Sequence, residues 1–297
     1  MSSQIENITA AAAGTVTLGD MTVNRLGYGA MRITGPGIWG PPKDREGALA
    51  VLRRALDLGV NLIDTADSYG PGVSEELIAE ALFPYPKDLV IATKGGWNRP
   101  APGHWSHDSS PKHLREALEG SLKRMRLERI DLYQLHTPDP AISFDASMQA
   151  LADMQREGKI RHIGLSNVTR EHVERAQTIV EIVSVQNRYS VFDREWEHVL
   201  DFCEQCKIAF IPWFPLGAGG VGHDVLSRIA QAHKAKPIQV ALAWLLQRSP
   251  IVLPIPGTSS VEHLEEDIAA AAIHLTKDEF LQLDQVNGKT TAGRVRA

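Results

Sequence analysis

Four side chains able to hold or move a proton stand at the ends of three successive apolar runs in this chain of 297 residues. The run Asn61–Asp64 ends in Asp64, and Tyr69 follows in LIDTADSYG. Lys94 follows the run Leu89–Thr93 in VIATKGG, and His136 closes the run Ile130–His136 in LYQLHTPD. A free tyrosine, with a pKa of about 10, is a poor proton donor to an alkoxide at neutral pH. A neighbouring ammonium favours the phenolate and lowers that pKa, and Lys94 can supply the charge. Asp64, paired with Lys94, limits the cost of burying it. A neutral His136 can donate a hydrogen bond to a substrate oxygen. The set suits proton transfer at a carbonyl oxygen, with Tyr69 as general acid in reduction and base in oxidation. Reduction also needs a hydride, hence a nicotinamide. Read singly, Asp64 is equally a turn cap, Tyr69 a packed surface ring and His136 a satisfied core histidine. Their joint placement on three strand ends favours chemistry.

The elements that must position them follow from periodicity. Apolar, β-branched runs occur at Arg25–Tyr28, Asn61–Asp64, Leu89–Thr93, Ile130–His136, His162–Ser166, Ile182–Gln186, Ala209–Phe214 and Ile251–Ile255. Between and after them lie stretches of helical period: Asp44–Leu58, Ser74–Leu82, Pro111–Met125, Phe144–Glu157, Arg170–Ile179, Glu195–Cys206, Pro237–Gln247, Val261–Ala271 and Lys277–Val286. Ser74 and Thr276, each followed by acidic residues, read as helix N-caps. Continuous apolar runs fit strands buried on both faces, so the expected fold is a (β/α)8 TIM barrel. The alternating segment TVTLGDMTVN, with Gly19-Asp20 at its turn, predicts an N-terminal β-hairpin capping the bottom. No linker or repeat divides the chain, so residues 1–297 are expected to form a single domain with its core at about 23–286. In such a barrel, reactive residues project from the C-terminal strand ends.

Composition narrows the function classes. The chain is 43% hydrophobic and 23% charged with a formal charge of −5, an ordinary globular balance that lacks the basic excess of a nucleic-acid binder. No apolar run of about 18 residues offers a membrane span, and the N-terminal stretch lacks a basic signal region, so a cytoplasmic location is expected. Cys203 and Cys206 lie within one helical stretch and read as reduced thiols. Gly35, Gly37 and Gly40 spell GxGxxG, yet they come well after the first strand, and Pro41-Pro42 delay the next helix. A dinucleotide fingerprint needs its glycines at the strand-to-helix turn, so a surface loop is expected instead. His104 and His107 lack a carboxylate cluster, and no metal site is expected.

At these residues the chain resembles the aldo-keto reductase family, through RLGYGAM, NLIDTADSYG, IATKGG, DLYQLH, IRHIGLSN, VSVQNRYS, WFPLG and LPIPGTSSVEHLEED in that order. The resemblance runs from about Val23 to Val286. It implies NADPH bound in extended form and a catalytic tetrad of Asp64, Tyr69, Lys94 and His136. It places Ala30, Met31 and Asp64 near the cofactor, and Ser166, Asn167 and Gln186 at its carboxamide. Trp213 and Phe214 would lie at the nicotinamide, and Pro215, Leu216 and Gly217 along the pyrophosphate. Gly257, Thr258, Ser259 and His263 would meet the 2′-phosphate, and Glu266 and Asp267 the adenine.

The chain also departs from the family pattern. Many members carry Lys and Arg where Gly257 and His263 stand, so weaker discrimination against NADH is expected. The segment LGAGGVGHD is short, which implies quick cofactor release. Within the family, the chain resembles a bacterial subgroup that includes pyridoxal reductases, and reductases of bulky cyclic ketones. Trp39, Trp97 and Trp105, with Arg99, are the expected substrate wall. The expected partner is a small carbonyl compound, and the expected state a monomer. Two other readings stay open: a cofactor-binding redox sensor, and a Schiff-base aldolase using Lys94.

Overall fold

The computed structural model describes residues 8–215 and 223–286. Its first regular strands, β1 (Thr15–Leu18) and β2 (Met21–Asn24), pair antiparallel as the expected hairpin. There follow β3 (Tyr28–Gly29), α1 (Arg45–Asp57), β4 (Leu62–Asp64), α2 (Val73–Leu82) and β5 (Val90–Gly95). A small hairpin comes next, β6 (Trp97–Asn98) with β7 (Ser106–His107). The chain continues through α3 (Pro111–Met125), β8 (Ile130–Leu135), α4 (Phe144–Arg156), β9 (Ile160–Ser166), α5 (Arg170–Gln177) and β10 (Ile182–Gln186). It ends with α6 (Glu197–Cys206), β11 (Ala209–Phe210), α7 (Asp224–Ala232), α8 (Pro237–Arg248), α9 (Val261–Ala269) and α10 (Lys277–Asp284). Strands β3, β4, β5, β8, β9, β10 and β11 are neighbours in that order, each pair parallel.

The eighth position is filled without a regular strand. Residues 251–256 run between the two sheet edges. Phe210 N donates to Ile251 O and Leu253 N to Phe210 O, while Gly27 N donates to Pro254 O and Gly29 N to Pro256 O. Pro254 and Pro256 have no N–H to return, so the ladder is thin on that side, yet the barrel closes. The expected run Ile251–Ile255 is therefore in place, held by carbonyls alone toward β3.

Alternation sorts the interior into layers. Leu62, Val90, Ala92, Leu132, Val183, Ala209, Leu253 and Ile255 form one inner apolar cluster, and Leu18, Met21 and Val23 of the hairpin plug it from below. Two residues further up the same strand faces stand Asp64, Lys94 and Gln134, buried above that floor. A bulge between Ile182 and Ser184 shifts the parity of β10, so that both Val183 and Gln186 reach the interior. Asp20 at the hairpin turn accepts from Arg161 Nη2 at 2.8 Å and lies 2.5 Å from His162 Nε2, latching the plug.

Three local expectations differ from the structure. Gly72, at φ +81°, caps α2, and Ser74 is buried inside it, donating to Ala30 O at 3.0 Å. Helix α2 presses its first turn against the strands, so its polar side chains serve tertiary contacts instead of the helix end. Helix α7 was not anticipated after the glycine-rich run, and β6–β7 replaces a loop. Thr276 does cap α10 in a capping box, and Cys203 and Cys206 are free thiols on α6. Among the described residues no helix is long and apolar enough to cross a membrane.

Candidate active site

A cavity of about 640 Å³ opens at the C-terminal strand ends. Asp64, Tyr69, His136, Ser166, Asn167, Gln186, Trp213, Phe214, Pro215 and Gly257 line it, with Met31, Trp97 and Trp105. Lys94 lies behind this wall, wholly buried, with Nζ donating to Asp64 Oδ1 at 2.5 Å and to Thr65 O at 2.9 Å. The ammonium stands 5.4 Å from the Tyr69 ring centre. The Tyr69 and His136 rings meet edge-on with centres 5.9 Å apart. Chain order thus delivers the four residues from β4, the loop after it, β5 and the end of β8 into one place. Lys94 does not line the cavity, which counts against a Schiff-base mechanism.

The electrostatics support proton transfer with one correction. Burial works against the Lys94 ammonium, but the adjoining Asp64 and Tyr69 more than offset it and hold its pKa above the ordinary lysine value. Burial, then Lys94 and His107, push His136 well below the usual histidine range, so the ring is neutral at pH 7. Its Nδ1 is buried without a hydrogen-bond partner among the described residues. Burial pushes the Tyr69 phenol up, and Lys94 only partly pulls it back. Lys94 pulls the Tyr69 pKa down as expected, but desolvation outweighs it, so the phenol keeps its proton through neutral pH.

The carboxylate of Asp64 is fully engaged. Its Oδ2 accepts from Gln186 Nε2 at 2.8 Å and from Gln134 Nε2 at 3.0 Å. Gln134 escaped the sequence reading, although alternation puts it on the same strand face as His136. Asn167, at φ +56°, donates through Nδ2 to His136 O at 2.9 Å and accepts from Trp213 Nε1 at 3.0 Å. Trp213, its N–H already committed, offers ring surface to the cavity.

The remaining residues sort by position. Trp97 and Trp105 line the cavity, with ring centres 5.6 Å apart. Trp39 does not. It lies behind the Arg99 guanidinium, which sits 5.4 Å from its ring centre and 3.5 Å from that of Trp105. Arg99 also donates to Ser68 O at 3.2 Å, so it ties three rim loops together. The glycine-rich loop is pinned to the Tyr69 loop by Gly40 N donating to Gly70 O, as a surface loop and not a phosphate cradle. Ala30 is buried beneath the cavity. Thr258, Ser259, His263, Glu266 and Asp267 lie beyond its lining, before and along α9. Leu216 and Gly217, with the rest of the short segment as far as Gly222, fall outside the described residues.

Asp267 carries a pH-dependent cost. Burial, with Glu266 nearby, pushes its carboxyl up to about 7. Above about pH 4 the unfolded chain ionises this group while the folded chain holds the proton, so stability falls as pH rises toward 7. Asp267→Asn is expected to stabilise the protein at pH 8 by up to about 4 kcal/mol, and by much less at pH 5. Denaturant melts at the two pH values check this; an equal effect at both would show that Asp267 folds ionised.

A sequence model of the Aldo/keto reductase family matches residues 25–288. The chain is 48% identical over 289 residues to an uncharacterised oxidoreductase of Schizosaccharomyces pombe, covering 97% of this chain and 94% of that protein. It is 46% identical over 284 residues to pyridoxine 4-dehydrogenase of Escherichia coli, covering 93% and 99%. Among solved structures it superposes on the thermostable aldo-keto reductase Tm1743, in complex with the inhibitor epalrestat, with a TM-score of 0.79 at 33% identity, covering 91% and 98% of the two chains. An aldo-keto reductase of Klebsiella pneumoniae in complex with NADPH gives 0.79 at 27% identity, covering 95% and 98%.

Proposed function

This chain belongs to the aldo/keto reductase family, and from that premise we propose that it reduces pyridoxal, with bulky cyclic ketones as a second substrate class. It is an NADP-dependent oxidoreductase acting on carbonyl and alcohol groups. The observation that carries the substrate reading is the pairing of Tyr69 and His136 with the Trp97–Trp105 wall in one cavity. Two indole rings beside a proton donor suit a flat aromatic aldehyde. The likeness to pyridoxine 4-dehydrogenase over nearly all of both chains supports the same choice.

The cavity fits a nicotinamide dinucleotide. Gly29 and Gly257 line it beside β3 without side chains, leaving room there. Hydroxyl and amide groups of Ser166 and Asn167 and the Trp213 ring would hold the nicotinamide end. When bound, NADPH supplies the hydride. The protein's own part is positional and acid–base. Neutral His136 donates a hydrogen bond that orients the substrate oxygen, and the Tyr69 hydroxyl gives up its proton to that oxygen as the alcohol forms. Lys94, held by Asp64 and Thr65, stabilises the phenolate left on Tyr69. Tyr69 then recovers a proton from solvent. In oxidation the phenolate takes the alcohol proton.

The test is initial-rate assay of NADPH oxidation with pyridoxal, a bulky alicyclic ketone and a simple aromatic aldehyde. Pyridoxal is expected to give the highest kcat/KM; a simple aldehyde that outpaces it would overturn the substrate reading. Trp105→Ala is expected to raise KM for pyridoxal by about tenfold with little change in kcat, the loss of one stacking partner. An unchanged KM would remove Trp105 from the substrate wall.

A further inference from the structure

We propose that Arg32 provides the cation that binds the 2′-phosphate of NADP and so sets the preference for NADP over NAD. The inference rests on the NADP-dependent reading above and concerns how this chain achieves it. The two cofactors differ by one phosphomonoester, which carries about −1.5 to −2 charge at neutral pH. A group of that charge leaving water needs a permanent cation or a dense set of N–H donors. The sequence offers neither Lys nor Arg at Gly257 or His263.

The structure explains why position 257 carries no side chain. Gly257 packs so close to the end of β3 that an added Cβ would come within 2.6 Å of the Gly29 carbonyl oxygen, a backbone atom that cannot step aside. The close approach belongs to barrel closure, where Gly29 N donates to Pro256 O. A side chain at 257 would require this seam to shift, so in this chain a cation comes more readily from another segment.

Arg32 is placed to supply it. It lies in the turn Ala30–Ile33 directly after β3, exposed to solvent and lining the cavity beside Gly29 and Gly257. Its Cγ is 3.8 Å from where a Cβ on Gly257 would stand, so the arginine stem runs alongside the missing side chain. Among the described lining residues it is the one permanent cation. It forms no ion pair with a described carboxylate. Two described cations beside α9 are committed: Arg54 Nε donates to Glu265 Oε1 at 2.9 Å, and Lys236 is paired with Glu266. Lys94 is spent on Asp64.

Equilibrium titration of the purified protein with NADP+, NAD+ and 2′,5′-ADP, followed by calorimetry, tests this without turnover. Arg32→Ala is expected to weaken NADP+ and 2′,5′-ADP by about 10- to 100-fold and to change NAD+ by less than about twofold, with Arg32→Lys recovering part of the loss. A parallel loss of NAD+ affinity would overturn the proposal by placing Arg32 on the pyrophosphate that both dinucleotides share. Unchanged NADP+ affinity would overturn it outright. If the wild-type protein bound NAD+ as tightly as NADP+, the NADP-dependent reading itself would fail, whatever the variant did. Arg32 is exposed, so the variants are expected to melt with the wild type, which separates lost binding from lost fold.

Discussion

Tyr69→Phe is expected to lower kcat for carbonyl reduction by roughly two to four orders of magnitude while the affinity for NADP+ stays within about twofold. The substitution removes one hydroxyl and keeps the ring that packs edge-on to His136. Tyr69 lines the cavity yet is only 8% exposed, so the ring is held by packing when the hydroxyl is removed. The pH dependence follows with its sign. Burial raises the phenol's pKa despite Lys94, so the proton needed for reduction is present throughout the neutral range. Reduction is therefore expected to be flat through neutral pH. Oxidation, which needs the phenolate, is expected to climb as the medium becomes alkaline. His136 titrates well below its ordinary range and adds no limb near neutrality. A variant that kept more than a tenth of the wild-type rate would show that the proton comes from elsewhere.

Breaking the pair beneath Tyr69 is expected to cost both fold and rate. Lys94 is fully buried and Asp64 is 2% exposed, and the partner of each is the other. Asp64→Asn leaves the ammonium with neutral acceptors only, Thr65 O among them, in a dry interior. Lys94→Met leaves a carboxylate with only the Gln134 and Gln186 amides. Each single variant is expected to lose about 3–5 kcal/mol of stability, because an uncompensated buried charge remains. The double variant Asp64→Asn/Lys94→Met should be more stable than either single one, since neither charge is left behind. All three are expected to be catalytically impaired. Denaturant melts and initial rates read the two effects separately; a double variant losing the sum of the single losses would show that the pair is not the source of the cost. Because the Lys94 pKa is raised, its contribution is fully present below the ordinary lysine value and is lost only above it, so the pair remains intact across neutral pH.

Much of this was legible in residue order. Strand-end position placed Asp64, Tyr69, Lys94 and His136, because alternation and the barrel rule depend only on local period. The same rule applied to β8 would have found Gln134, whose amide looks like an ordinary strand polar group until Asp64 is seen opposite. The hairpin plug followed from its own alternation. The eighth barrel position was read from apolar content, although its prolines deny it a regular ladder.

Other features depended on distances between segments far apart in the chain. Ser74 has a capping residue's chemistry, yet the Thr65 hydroxyl and the Ala30 carbonyl claim it. Trp39 has a pocket residue's chemistry, yet Arg99 stands between it and the cavity. The balance at Tyr69 turned on how much water the fold removes, a quantity no spacing contains. Gly257 shows the division most plainly. The sequence by itself determined that no cation stands there; only the tertiary structure showed that Gly29 O crowds the position and that Arg32 runs alongside the gap. Residue type and period carry local conformation and chemical capacity, whereas close approach and desolvation arise only when separate segments pack, and those two effects decide which capacities the protein uses.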